Sequence, residues 1–175
     1  MRPLGWGDVE GWAAYGGASL GTRRTIPKAE DLYALARSIE THELDGIVII
    51  GGFQAYRALS RINAERKRFP ALSIPIVVLP ASLDNNLPGL QMAVGADSAL
   101  NVDVQAVDRI KQSATASKRA FVVETMGGNC GYLALLAGLS GGAVRVYLHE
   151  EGITLDQLND EGQTKAVDLY NSELR

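Results

Sequence analysis

The chain has 175 residues, 46% apolar and 21% charged, with 17 basic against 20 acidic side chains and a net charge of −3. That is the composition of an ordinary globular chain, long enough for one domain that buries roughly two thirds of its unfolded surface. It excludes the concentrated basic face of a nucleic-acid binder, and a single cysteine, Cys130, excludes an internal disulfide framework. Residues 1–23 are glycine-rich, with Trp6 and Trp12 as candidate anchors and no clear period. Pro27 then opens a helical pattern, K-A-E-D-L-Y-A-L-A-R-S-I-E. Leu32, Leu35, Ala36 and Ile39 fall on one face, and Glu30 and Asp31 sit in the first turn, where the helix dipole favours acids. Asp45-Gly46 marks a turn, and 47–50 (I-V-I-I) reads as a strand covered on both faces. It ends in Gly51-Gly52, and a helix follows over 54–67. Its basic end, R-I-N-A-E-R-K-R at 61–68, reads as a solvated surface.

A second strand is expected over 74–79, then a polar loop, S-L-D-N-N. A long helix over 98–113 carries Leu100, Val104, Val107 and Ile110 on one face. A third strand is expected over 121–124, followed by M-G-G-N and an apolar helix, Y-L-A-L-L-A-G-L. A fourth strand covers 144–148, and a last weak helix starts near Thr154, a plausible N-cap. Strands alternating with helices predict an α/β fold, a doubly wound and mainly parallel sheet with helices on both faces. No apolar run approaches the ~18 residues of a membrane helix, and the N-terminus lacks the apolar core of a signal peptide, so a cytoplasmic protein is expected.

Sheets of this kind bind ligands at the carboxyl ends of their strands. Three such ends carry polar or glycine-rich loops: Gly51-Gly52-Phe53, 82–89 and 126–129. Each has two readings on its own. Paired glycines either admit a ligand close to the backbone or make a tight strand-to-helix turn. S-L-D-N-N either presents Asp84 to a bound hydroxyl or forms an Asx turn that satisfies its own backbone. Arg119, just before a strand, is by itself an ordinary surface arginine. His42 and His149 are the only histidines, and with Cys130 they make no zinc site.

The order of the pieces is more specific than any one of them. I-V-I-I-G-G-F-Q-A-Y, then I-P-I-V-V-L-P-A-S-L-D-N-N-L-P-G, then V-G-A-D-S-A-L-N, then K-R-A-F-V-V-E-T-M-G-G-N-C-G-Y-L-A closely resembles the phosphofructokinase family. G-G-A-S-L-G-T-R-R-T-I-P near the start fits it too, and the resemblance runs from about Trp6 to Leu158. The family's Thr-Ile-Asp-Asn-Asp loop carries the base that takes the proton of a sugar hydroxyl as it attacks the γ-phosphate of ATP. Asp84 matches that base, with Ser82 at the Thr position and Leu83, Asn85 and Asn86 completing the loop. Arg119 matches an arginine that reaches the sugar phosphate of a neighbouring subunit, a role suited to a bidentate guanidinium. Met126, Gly127 and Gly128 match the loop lining the sugar, and Arg24 matches a phosphate-binding arginine. Gly51 and Gly52 match a nucleotide loop, weakly.

The departures bear on function. Catalytic copies of the family carry Gly-Gly-Asp-Gly-Ser where this chain has Gly51-Gly52-Phe53-Gln54-Ala55. Phe53 cannot bind magnesium, and its ring would crowd a triphosphate. Asn86 replaces the loop's second acid, and Gly128 replaces the arginine of Met-Gly-Arg. These changes resemble the regulatory half of the long duplicated enzymes, whose old sugar site holds fructose 2,6-bisphosphate, although that half usually has Ser where Asp84 stands. By the resemblance, 1–175 are one partial domain, lacking a strand before Met1 and a sugar-binding segment after Arg175. The expected function is that of a 6-phosphofructokinase segment, inactive alone. It binds a sugar phosphate or bisphosphate within a homo- or hetero-oligomer and contacts no nucleic acid or membrane. Mg-ATP serves the whole enzyme, with no metal or cofactor expected on this segment. The alternatives are a catalytic sugar-binding half with Asp84 as base, or a decayed fragment with no ligand.

Overall fold

The computed structural model describes residues 3–154, 156 and 157. The weak helix expected from Thr154 onward lies mostly outside them. The glycine-rich start contains a short helix, α1 (Trp6–Val9), and a 3-10 turn (Trp12–Ala14). Trp6 is not an anchor: 91% of its surface is exposed. Helix α2 (Ala29–Thr41) begins where Asp31 accepts the Lys28 N–H at 2.8 Å, which satisfies one orphan amide of the first turn. Strand β1 (Ile47–Gly51), helix α3 (Phe53–Ala64), a 3-10 turn (Pro70–Ser73) and strand β2 (Ile76–Pro80) follow. Strand β2 starts two residues later than expected, directly after Pro75, which has no N–H to give to a ladder.

Strands β1 and β2 pair in parallel, Ile47 against Ile76 through Gly51 against Pro80. Helix α3 is the crossover between them, so the fold is α/β as expected. The core lies on one face of this sheet. Leu32, Ala36 and Ile39 of α2 meet Ile62 of α3 and Leu72 of the 3-10 turn, with Ile47, Ile49 and Ile76 packed beneath them. On the other face Val48, Ile50, Val77 and Leu79 are exposed, so among the described residues the 47–50 strand is covered on one face and not on the two expected. The basic run is less solvated than expected: Arg66 donates to the Ile74 carbonyl at 3.2 Å and is half-buried.

Helix α4 spans Ala96–Ser117, four residues longer than expected at its C-terminal end, and α5 spans Tyr132–Gly141. They pack on each other, with Gly141 against Val107. The predicted face of α4 holds, with Val107 buried and Leu100, Val104 and Ile110 half-buried. The third and fourth predicted strands do not form among the described residues: neither 121–124 nor 144–148 joins a ladder. A strand exists only by pairing, and Val122 is 88% exposed with no strand beside it.

Asp103 lies on the packed side of α4, half-buried, and its Oδ2 is buried without a hydrogen-bond partner. Burial raises its pKa above the ordinary value of 3.8. The folded state therefore holds the proton more tightly than the unfolded state, and stability is lost as pH rises through the folded pKa. Asp103→Asn should change little below the ordinary aspartate range and raise the stability of the protein at neutral pH. Urea unfolding of both proteins at pH 3.5 and pH 7 measures the difference.

Candidate functional site

The parallel pairing of β1 and β2 brings their carboxyl ends side by side. The ladder ends at Gly51 and Pro80, and Ala81 donates its N–H to the Gly51 carbonyl at 3.0 Å. The first two loops are therefore neighbours by construction. Gly52 lies against Ser82: a Cβ there would be 3.1 Å from Ser82 Cβ and 3.3 Å from its Oγ. The third loop leads into α5. Gly128 is in the left-handed region at φ +52°, and a Cβ on it would fall 2.8 Å from Asp84 Oδ2 and 3.8 Å from Asn86 Nδ2. Of the residues singled out above, Gly51, Gly52, Ser82, Asp84, Asn86, Gly127 and Gly128 thus belong to one cluster. Ser82, Asp84 and Asn86 are half-buried, and the Ser82 hydroxyl lies 3.5 Å from Asn86 Oδ1 as donor.

Asn85 is placed differently. It adopts φ +50°, which Asn tolerates better than most residues. Its Oδ1 accepts the Ala93 N–H at 2.8 Å and its Nδ2 donates to the Gln91 carbonyl at 3.1 Å. Both ends of the amide are spent on holding the 82–87 loop to the segment before α4. Beside it, Ala81 and Val94 form a parallel bridge. These bonds reach six and eight positions along the chain, so Asn85 ties the loop to a distant segment rather than closing an Asx turn, while Asp84 has no hydrogen-bond partner among the described residues.

Leu83 and Met126 are exposed at the rim. Arg24 and Arg119 are exposed and make no hydrogen bond or ion pair to these loops. Phe53 opens α3 directly after Gly52, with 51% of its surface exposed. A metal bound to triphosphate needs oxygen ligands, and Phe53 presents a ring at that point, so the residues beside Gly51 and Gly52 do not fit magnesium. His42 and His149 are exposed. No helix of the described residues is long and apolar enough to cross a membrane.

One residue of consequence escapes sequence reasoning. The Gly131 N–H, at the head of α5, donates to both carboxylate oxygens of Glu150, at 2.9 and 3.1 Å. That bond, helped by the hydrogen bond from Glu150's own backbone N–H, holds the Glu150 carboxyl below its ordinary pKa of 4.5. The partners stand 19 positions apart, and no local spacing signals the pair.

Residues 1–171 match the family model for phosphofructokinase. The chain is 42% identical over 176 residues to the ATP-dependent 6-phosphofructokinase subunit beta of Saccharomyces cerevisiae, covering 100% of this chain and 18% of that protein. It is 48% identical over 159 residues to the muscle-type ATP-dependent 6-phosphofructokinase of Homo sapiens, covering 90% of this chain and 20% of that one. Among solved structures, phosphofructokinase from Saccharomyces cerevisiae superposes with a TM-score of 0.88 at 43% identity, covering 95% of this chain and 22% of the other. Pichia pastoris phosphofructokinase in the T-state superposes at 0.84 and 44% identity, covering 90% and 18%. The chain therefore spans about a fifth of the length of the relatives it matches.

Proposed function

The chain belongs to the phosphofructokinase family, and from that premise we propose that it is one partial domain of an ATP-dependent 6-phosphofructokinase whose three converging loops bind a sugar bisphosphate as a regulatory ligand. The whole enzyme would phosphorylate fructose 6-phosphate with Mg-ATP. The observation that carries the regulatory reading is Phe53. It stands at the head of α3, where a triphosphate and its metal would approach, while the Asp84 carboxylate keeps no hydrogen-bond partner among the described residues. Asp84 accepts a hydrogen bond from a ring hydroxyl, and Ser82 and Asn86 offer further polar contacts. Gly128 brings its backbone against Asp84, where the Cβ of any larger residue would stand 2.8 Å from Asp84 Oδ2. Arg24 and Arg119 supply the charge for the phosphates, in the second case across a subunit boundary of an oligomer.

A second reading follows from Asp84 itself. A carboxylate facing a sugar hydroxyl is also the general-base arrangement of a kinase, although positioning and charge neutralisation supply most of that rate. Calorimetric titration with fructose 2,6-bisphosphate, fructose 6-phosphate and Mg-ATP separates the two. The regulatory reading predicts bisphosphate binding without Mg-ATP binding. It also predicts that Asp84→Ser keeps or strengthens the binding, because a carboxylate repels a nearby phosphate. Turnover of fructose 6-phosphate with Mg-ATP, lost in Asp84→Asn, would overturn it in favour of catalysis. If no sugar binds, the chain has no ligand of its own.

A further inference from the structure

We infer that Glu150 is a positioning residue: it sets the 126–129 loop against Asp84 by clamping the head of α5. The inference takes its ligand from the site proposed above; its geometry stands independently. The clamp is specific to glycine at the contact point. A Cβ on Gly131 would lie 2.7 Å from Glu150 Oε2 and 2.8 Å from Leu148 Cδ2, so the two segments meet backbone to side chain with no space between them. The carboxylate also sits where the first turn of α5 leaves amides unsatisfied and favours negative charge.

The segment that presents Glu150 is itself braced. The Leu148 N–H donates to Glu151 Oε2 at 3.1 Å, Arg145 lies 3.6 Å from Glu151 Oε1, and the Arg145 guanidinium stacks over the Tyr147 ring at 5.2 Å. On the far side of Gly131 the loop closes on itself, with the Cys130 N–H donating to the Gly127 carbonyl at 3.0 Å. Gly128 then abuts Asp84. The contacts run without a gap from the 149–151 turn, through Gly131 and the closed loop, to the acid in the site. A carboxylate serving only as a helix cap would stabilise α5 and leave Asp84 unaffected.

Amide hydrogen exchange and calorimetry on the 175-residue chain decide between these. Glu150→Gln keeps the shape and one acceptor oxygen but removes the charge; Glu150→Ala removes the clamp. Positioning predicts that Glu150→Ala speeds exchange about tenfold both in 126–131 and in 82–87, with α2 amides unchanged and Glu150→Gln intermediate. The same variants should weaken fructose 2,6-bisphosphate binding about tenfold. Should Glu150→Ala also loosen α2, Glu150→Gln carries the comparison alone. Unchanged exchange in 82–87 would overturn the inference, as would unchanged affinity in a protein whose parent binds the sugar. A parent that binds no bisphosphate sinks the ligand reading instead, and the exchange in 82–87 then decides on Glu150 by itself.

Discussion

Gly128→Asp is expected to weaken fructose 2,6-bisphosphate binding by about a hundredfold, or roughly 2.8 kcal/mol. Three costs coincide at this position. The backbone is left-handed, at φ +52°, where a side chain costs of order 1 kcal/mol, least for Asp and Asn. The new Cβ would stand 2.8 Å from Asp84 Oδ2, so the Asp84 carboxylate has to move. The added charge then faces both Asp84 and the ligand phosphates, and like charges brought together in a site cost several kcal/mol. Folding stability should fall by only about 1 kcal/mol, because Gly128 is exposed and outside the core. Calorimetric titration beside thermal unfolding separates the two effects. Affinity within threefold of the parent would mean that Gly128 does not border the ligand.

Leu32→Ala carries the largest expected effect on stability, about 2–5 kcal/mol. Leu32 is fully buried, at the centre of the only large apolar cluster that ties α2 and α3 to the 3-10 turn and the sheet among the described residues. Removing its side chain loses the transfer energy of three carbons and leaves a cavity that its neighbours cannot close without moving the helix. Domains of this size have about 5–15 kcal/mol in all, so the loss should appear as a large drop in the urea midpoint. Trp6→Ala, at a side chain 91% exposed, should change stability by no more than about 0.5 kcal/mol. A Leu32→Ala effect below 1 kcal/mol would place the core elsewhere.

What was legible in the sequence divides by the range of the interaction concerned. The strand at 47–50, the face of α4 and the first turn of α2 depend on neighbours within a few residues, and their patterns predict them. The runs at 121–124 and 144–148 have the same β-branched composition, yet they form no strands here, because propensity supplies no pairing partner. Asp103 interrupts the apolar face of α4 without any signal in its spacing that its carboxylate would be buried unpartnered. In the site, the Asp84 loop was readable from adjacent letters, and the parallel order of strands implied that it would meet Gly51 and Gly52. The approach of Gly128 to Asp84 depends on the packing of α5, and the Glu150 clamp on a contact across 19 positions. Neither could be read from local pattern. Asn85 belonged to the motif, but its orientation toward Gln91 and Ala93 came only with the fold.

The central claim is that loops from three separate segments make one sugar-bisphosphate site. Backbone amide shifts recorded while fructose 2,6-bisphosphate is added test it most directly. A shared site gives saturable shifts, with one common affinity, at Gly52, at Asp84 and Asn86, and at Gly127 and Gly128, with little change on α2. Shifts confined to a single loop, or lying outside all three, would contradict it.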